Sequence, residues 1–138
     1  VYRKKGPLRE FCDDHIRREI QPLDNDAAWE ALKPLTRLGM ALGELNVTVD
    51  VPEDIPLLGI PKGPIPLQRL FYWHVCKAFY RPDMTLEEMN HVNFDWYRPL
   101  NCIRSTPEEL RAYCGAAGLD IEHMDIQEAG ITVVARRA

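Results

Sequence analysis

His91, Asn93, Asp95, Trp96 and Tyr97 place a candidate base, hydrogen-bonding groups and aromatic walls within a few residues of one another. Such residue types suit a pocket for a small molecule, where a few polar groups orient a ligand held between apolar surfaces. A plainer reading competes with it: the aromatic side chains anchor a loop and Asp95 caps a backbone turn. Other pairings offer less. Cys12 with His15, and His74 with Cys76, carry metal-ligating atoms. A structural zinc needs four convergent ligands, however, and two residues two apart on a helix point in different directions. Lys4-Lys5 and Arg136-Arg137 read as solvated charges at strand ends, with contact to an anionic substrate as the minor alternative. His123 reads as structural or exposed, and no Ser-His-Asp order or nucleophile elbow can be traced.

The elements that would position these residues can be placed from pattern. Val1 to Arg3 reads as the end of a strand, and Gly6-Pro7 turns into a helix whose face carries Leu8, Phe11, Cys12, Ile16 and Ile20. After Asp24-Asn25-Asp26 a second helix carries Ala28, Leu32, Leu35, Leu38 and Leu42, with Gly43 as its C-terminal cap and Pro34 expected to kink or split it. Val47, Val49 and Val51 alternate like a short strand, and the proline-rich stretch from Glu53 to Pro66 reads as an ordered loop. Leu67 to Tyr80 is apolar or aromatic almost throughout, which predicts a core or interface helix. Thr85 and Glu88 form a capping box for a short helix to about Asn90, and the aromatic-rich segment Asn93 to Pro99 is read as a loop.

The final third carries the densest local signals. Thr106 caps a helix, Pro107 takes its first position, Glu109 completes a capping box, and Leu110, Tyr113 and Ala117 form its expected buried stripe. Gly118 supplies a left-handed stop, and two strands follow around the turn Glu128-Ala129-Gly130.

Bulk properties narrow the classes of function. The chain of 138 residues is 46% hydrophobic and 28% charged, which suits one globular domain. A net charge of -4 and a pI near 5.6 provide no broad positive field for nucleic acid. A helix-turn-helix reader around Thr36-Arg37-Leu38-Gly39 is disfavoured on the same ground. No apolar stretch approaches the roughly 20 residues of a membrane span, and no signal peptide is legible, so a cytoplasmic location is the expectation. The four cysteines form no CxxC pair and are read as reduced thiols.

Arg104-Ser105-Thr106-Pro107-Glu108-Glu109-Leu110, then Ala116-Ala117-Gly118-Leu119, then Gly130 to Arg136, together resemble the C-terminal end of class I S-adenosylmethionine-dependent methyltransferases. In that family a helix, a glycine turn and an antiparallel hairpin complete a seven-stranded Rossmann-like sheet. Val1 to Lys5 resembles the family's fifth strand, and His91 to Pro99 resembles the inserted substrate-side segment of its small-molecule members.

The resemblance implies an α/β chain that is a partial Rossmann-like methyltransferase fold: the last three strands of the sheet with a helical insertion. Residues 1–138 would then be a single C-terminal segment, with the insertion at about 22–100 and the closing helix and hairpin at 105–137. It also implies S-adenosylmethionine as cofactor, bound upstream of Val1, because no GxGxG lies in this chain and Gly39, Gly43, Gly59 and Gly63 sit at helix ends or in the proline-rich loop. The partner would be a small-molecule methyl acceptor, with His91, Asn93, Asp95, Trp96 and Tyr97 as its candidate binding residues and no metal. Methyl transfer from a sulfonium is an in-line displacement, so these residues would position the acceptor and remove a proton where one must leave. Self-association, or pairing with a missing N-terminal half, is expected of such a segment. The competing reading is a non-catalytic α/β interaction module that docks through its aromatic helix Leu67 to Tyr80.

Overall fold

A computed structural model describes all residues from Val1 to Ala138 and is a mixed α/β structure. In chain order its elements are β1 (Tyr2–Arg3), α1 (Pro7–Ile20), α2 (Asn25–Glu44), β2 (Thr48–Val51), β3 (Gly63–Pro66), α3 (Leu67–His74), α4 (Leu86–Tyr97), β4 (Arg104–Ser105), α5 (Pro107–Ala116), β5 (Leu119–Ile126) and β6 (Ile131–Arg137). No helix is long and apolar enough to cross a membrane. The chain divides into two compact units, one formed by Lys5–Leu100 and the other by Val1–Lys4 with Asn101–Ala138.

In the unit Lys5–Leu100, α2 and α4 pack together around Ala28, Leu32 and Met89. The Asp24 carboxylate caps α2 by accepting from the Ala27 N–H at 2.8 Å. Pro34 does not split this helix, which runs unbroken through it. It lies on the exposed face, while Leu32, Thr36 and Gly39 anchor the turns on either side. The helix also runs past Gly43, and Asn46, at φ 50°, takes the left-handed position beyond its end. Gly39 and Gly43 serve packing instead. The Ala78 carbonyl lies against Gly39 and the Tyr80 ring against Gly43, both too close for a side chain.

Three further expectations change. Part of the supposed proline loop is β3, which pairs antiparallel with β2 from Thr48↔Pro66 to Val51↔Gly63. This is a two-stranded ribbon, so prolines without an N–H can stand on its outer edge. The helix expected from Leu67 to Tyr80 stops at His74. Beyond it the backbone groups bond to side chains rather than to a helical turn: Lys77 N–H to Asp13 Oδ1 (3.2 Å), Phe79 N–H to Asn93 Oδ1 (2.9 Å), and the Ala78 carbonyl to Gln68 Nε2 (2.8 Å). The stretch read as a short helix followed by the loop Asn93 to Pro99 is one helix as far as Tyr97, because Met89, Asn90, Asn93, Trp96 and Tyr97 recur at helical spacing and all face inward. Arg98 follows as its cap and holds the α1–α2 turn, donating to the carbonyls of Ile20 (3.2 Å) and Leu23 (3.1 Å) and to Asn25 Oδ1 (2.9 Å).

In the other unit, β1 pairs in parallel with β4, an element the sequence pattern did not suggest. On its other side β1 meets the start of β6: the Val1 carbonyl accepts from the Ile131 N–H at 2.8 Å, and Tyr2 forms an antiparallel bridge with Gly130. β5 and β6 pair antiparallel, as the sequence led us to expect, with a bulge between Ile121 and His123. That extra residue resolves the apolar spacing of β5. Leu119 and Ile121 are two apart, Met124 follows three later, and the bulge returns Met124 and Ile126 to the same face. Gly118 is left-handed at φ 66°, as expected of the stop after α5. Of the expected α5 stripe only Leu110 is buried; Tyr113 and Ala117 are exposed, since the short helix covers β5 with one side only.

Both capping boxes form. The Thr85 N–H donates to Glu88 Oε2 at 2.7 Å and the Thr106 N–H to Glu109 Oε2 at 2.9 Å, while each threonine hydroxyl accepts from the glutamate N–H. The Thr85 N–H lowers the Glu88 pKa, and Lys4 followed by Thr106 lowers that of Glu109, both from an ordinary value of 4.5. A folded pKa below the unfolded one contributes stability that is complete above the unfolded value and lost as pH falls through the folded value. The Thr85 and Thr106 amides should therefore lose exchange protection progressively below about pH 4. Protection unchanged down to pH 2 would contradict this account of the two caps.

Candidate functional site

The five residues singled out by sequence do not share a pocket. α4 turns His91 and Asp95 to solvent, paired at 3.4 Å one helical turn apart, and both side chains are about two-thirds exposed. Trp29 and Phe94 flank this surface, with ring centroids 5.4 Å apart, and the Trp29 ring lies 6.1 Å from that of His91. Asn93, Trp96 and Tyr97 point the other way, into the core.

Asn93 belongs to a polar bridge between α2 and α4. Its amide donates to Thr36 Oγ1 (2.9 Å), whose hydroxyl donates to Asn90 Oδ1 (2.7 Å), and Asn90 donates to the Trp29 carbonyl (3.1 Å). Thr36, Asn90 and Asn93 are fully buried, and the bridge supplies a partner to each of them.

Trp96 and Tyr97 meet on Asp13, a residue that sequence reasoning passed over. Asp13 Oδ2 accepts from Arg9 Nε (2.7 Å) and Trp96 Nε1 (2.8 Å), and Oδ1 accepts from the Tyr97 hydroxyl (2.9 Å) and the Lys77 N–H (3.2 Å). Arg9 also donates to the Tyr72 carbonyl, and Arg17 Nη2 to the Trp96 carbonyl at 3.0 Å. Both guanidinium groups lie over the Trp96 ring, at 5.8 and 4.8 Å from its centroid. The inward stripe of α1 is thus Arg9, Asp13, Arg17 and Ile20, whereas Phe11, assigned to that stripe from its spacing, is 66% exposed. The overlooked signal was charge of alternating sign at four-residue intervals, Arg9-Asp13-Arg17.

The chemistry open to this cluster is limited by its own bonding. Four donors occupy the Asp13 carboxylate, so its oxygens are engaged within the fold rather than presented to a ligand. Burial, followed by the nearby Asp13 charge, raises the Tyr97 pKa, so its phenol stays protonated. The same two causes push the Cys76 thiol up to about 12 and suppress its nucleophilicity. The cluster is suited to hold α1, α4 and the irregular strip after α3 in place. His91 and Asp95 are the members of the expected set that can meet a ligand.

Three glycines are closed off by close neighbours. Gly39 and Gly43 are filled by Ala78 and Tyr80, and a Cβ at Gly6, which precedes α1, would lie 2.6 Å from the Leu58 carbonyl oxygen. No grouping of His, Cys, Asp and Glu could hold a metal ion. No protein-family model matches the chain, and no curated protein or solved structure matches it either.

Proposed function

We propose that residues 1–138 are the C-terminal, acceptor-side portion of an S-adenosylmethionine-dependent methyltransferase acting on a small molecule, with a partial Rossmann-like sheet. The observation that carries this reading is the connection within the smaller unit. A capped helix, a left-handed glycine at Gly118 and a bulged hairpin lead back to β1, which lies between β4 and the start of β6. That agrees with the order helix, glycine turn, closing hairpin that the sequence resembles. Leu119, Ile126 and Val134 of the hairpin are 37%, 42% and 49% exposed, which fits a sheet that is covered further in a larger protein.

Isothermal titration of this chain with S-adenosylmethionine tests the reading. No stoichiometric binding is expected, and tight one-to-one uptake would overturn the placement of the cofactor site. A second reading, an interaction module, draws on Leu70, Phe71, Tyr72 and Trp73 of α3, which are only partly buried in this chain. A clean monomer in sedimentation at low concentration would count against it.

A further inference from the structure

A cleft of about 250 Å³ opens in the unit Lys5–Leu100 between the end of α2, the start of α3 and the strip Tyr80–Pro82. Its polar lining comes from Gln68, Arg69, Arg81 and Asn46, and Leu42, Val47, Pro66 and the Tyr80 ring give it apolar walls. Gln68 is only 5% exposed, and its amide nitrogen is fixed on the Ala78 carbonyl at 2.8 Å, so this polar group is rigidly placed at the cleft. Arg81 is already committed to Asp83 through two contacts of 3.0 and 2.6 Å. Arg69 is different. Its guanidinium lies 5.3 Å from the Tyr72 ring centroid and forms no salt bridge.

We propose that this cleft binds a small aromatic carboxylate, with the carboxylate on Arg69 and the ring against Tyr80 and the neighbouring apolar walls. The assignment follows from complementarity. A guanidinium without an acidic partner matches a planar carboxylate in bidentate geometry, and the Gln68 carboxamide supplies a further polar group beside it. The walls favour a ligand with an apolar body over a bare inorganic anion. The end of α2 carries partial negative charge, which opposes an anion, but the Leu45 and Asn46 N–H groups already engage the Ala41 and Gly43 carbonyls. What remains is a fractional, screened charge against a full guanidinium charge. The inference does not depend on the methyltransferase reading.

Titration of the 15N-labelled chain with sodium benzoate, followed by amide shifts, is the test. Saturable shifts are expected at Asn46, Gln68 and Arg69, with affinity at least about tenfold lower for benzyl alcohol and for R69Q. Lys62→Gln, which removes a cation outside the cleft, should leave the affinity unchanged. Shifts scattered over the surface, equal affinity for benzyl alcohol, or full retention of binding in R69Q would each overturn the proposal. Inorganic phosphate binding as tightly as benzoate would overturn the aromatic part of it. The benzyl alcohol comparison uses the unaltered chain, so it tests the need for a carboxylate even if R69Q misfolds, and the Arg69 amide shift then locates it.

Discussion

Replacing Asp13 with alanine is expected to destabilise the unit Lys5–Leu100 by about 3–5 kcal/mol, the usual penalty for removing one partner of a buried ion pair. The change strips the carboxylate from Arg9, Trp96 and the Lys77 N–H at once, leaves the Tyr97 hydroxyl only the Lys77 carbonyl at 2.9 Å, and keeps the Arg9 side chain buried without its ion-pair partner. Whole domains are stable by only about 5–15 kcal/mol, so this is a large fraction of the total. Tyr97→Phe offers a graded comparison. It removes one donor and leaves Asp13 with three, and its effect should be nearer 1 kcal/mol. Trp29, Trp73 and Trp96 all lie in this unit, so tryptophan fluorescence in a urea titration reports its unfolding. A D13A variant within about 1 kcal/mol of the parent would show that the cluster contributes little beyond filling space.

Gly39→Ala and Gly115→Ala are expected to have opposite signs although both glycines are helical. A Cβ at Gly39 would stand 2.8 Å from the Ala78 carbonyl oxygen and 3.0 Å from its carbon. Those are backbone atoms of a strip pinned on both sides by Gln68 and Asn93. Overpacking of this kind costs about 1–3 kcal/mol, more than the roughly 1 kcal/mol that alanine gains in helix propensity. At Gly115 a Cβ would meet nothing within 4 Å, so the propensity gain of about 0.5–1 kcal/mol should appear undiminished. Fluorescence-monitored unfolding reads the first variant, and amide exchange within α5 reads the second. A stabilised G39A would mean that the strip after α3 yields easily.

Local chemistry made part of this architecture legible. Thr85 with Glu88, Thr106 with Glu109, Pro107 and Gly118 each act through neighbours in sequence, and each does what its residue type implies. The α1 interior was not legible in the same way. Arginine and aspartate default to the surface, and Arg9, Asp13 and Arg17 are buried only because partners arrive from Tyr72, Lys77, Trp96 and Tyr97, far along the chain. The same non-local bonding converts the end of the aromatic helix into a non-helical strip: Asn93, Gln68 and Asp13 offer its backbone partners that a helix would otherwise provide.

The expected binding residues illustrate the point at the level of the site. Proximity in sequence put His91, Asn93, Asp95, Trp96 and Tyr97 together, but a helix of 3.6 residues per turn separates them onto two faces. Reading Met89, Asn90, Asn93, Trp96 and Tyr97 as one periodic stripe would have found the helix from sequence. The spacing of three between Ile121 and Met124 was likewise a visible mark of the bulge that turns β5's apolar residues to one face.

The methyltransferase reading is tested most directly by titrating S-adenosylmethionine into protein made from the longest reading frame that contains residues 1–138, beside the 138-residue chain itself. The account predicts one binding site in the longer protein and none in the chain alone. Stoichiometric binding by the chain alone, or no binding by the longer protein, would contradict it.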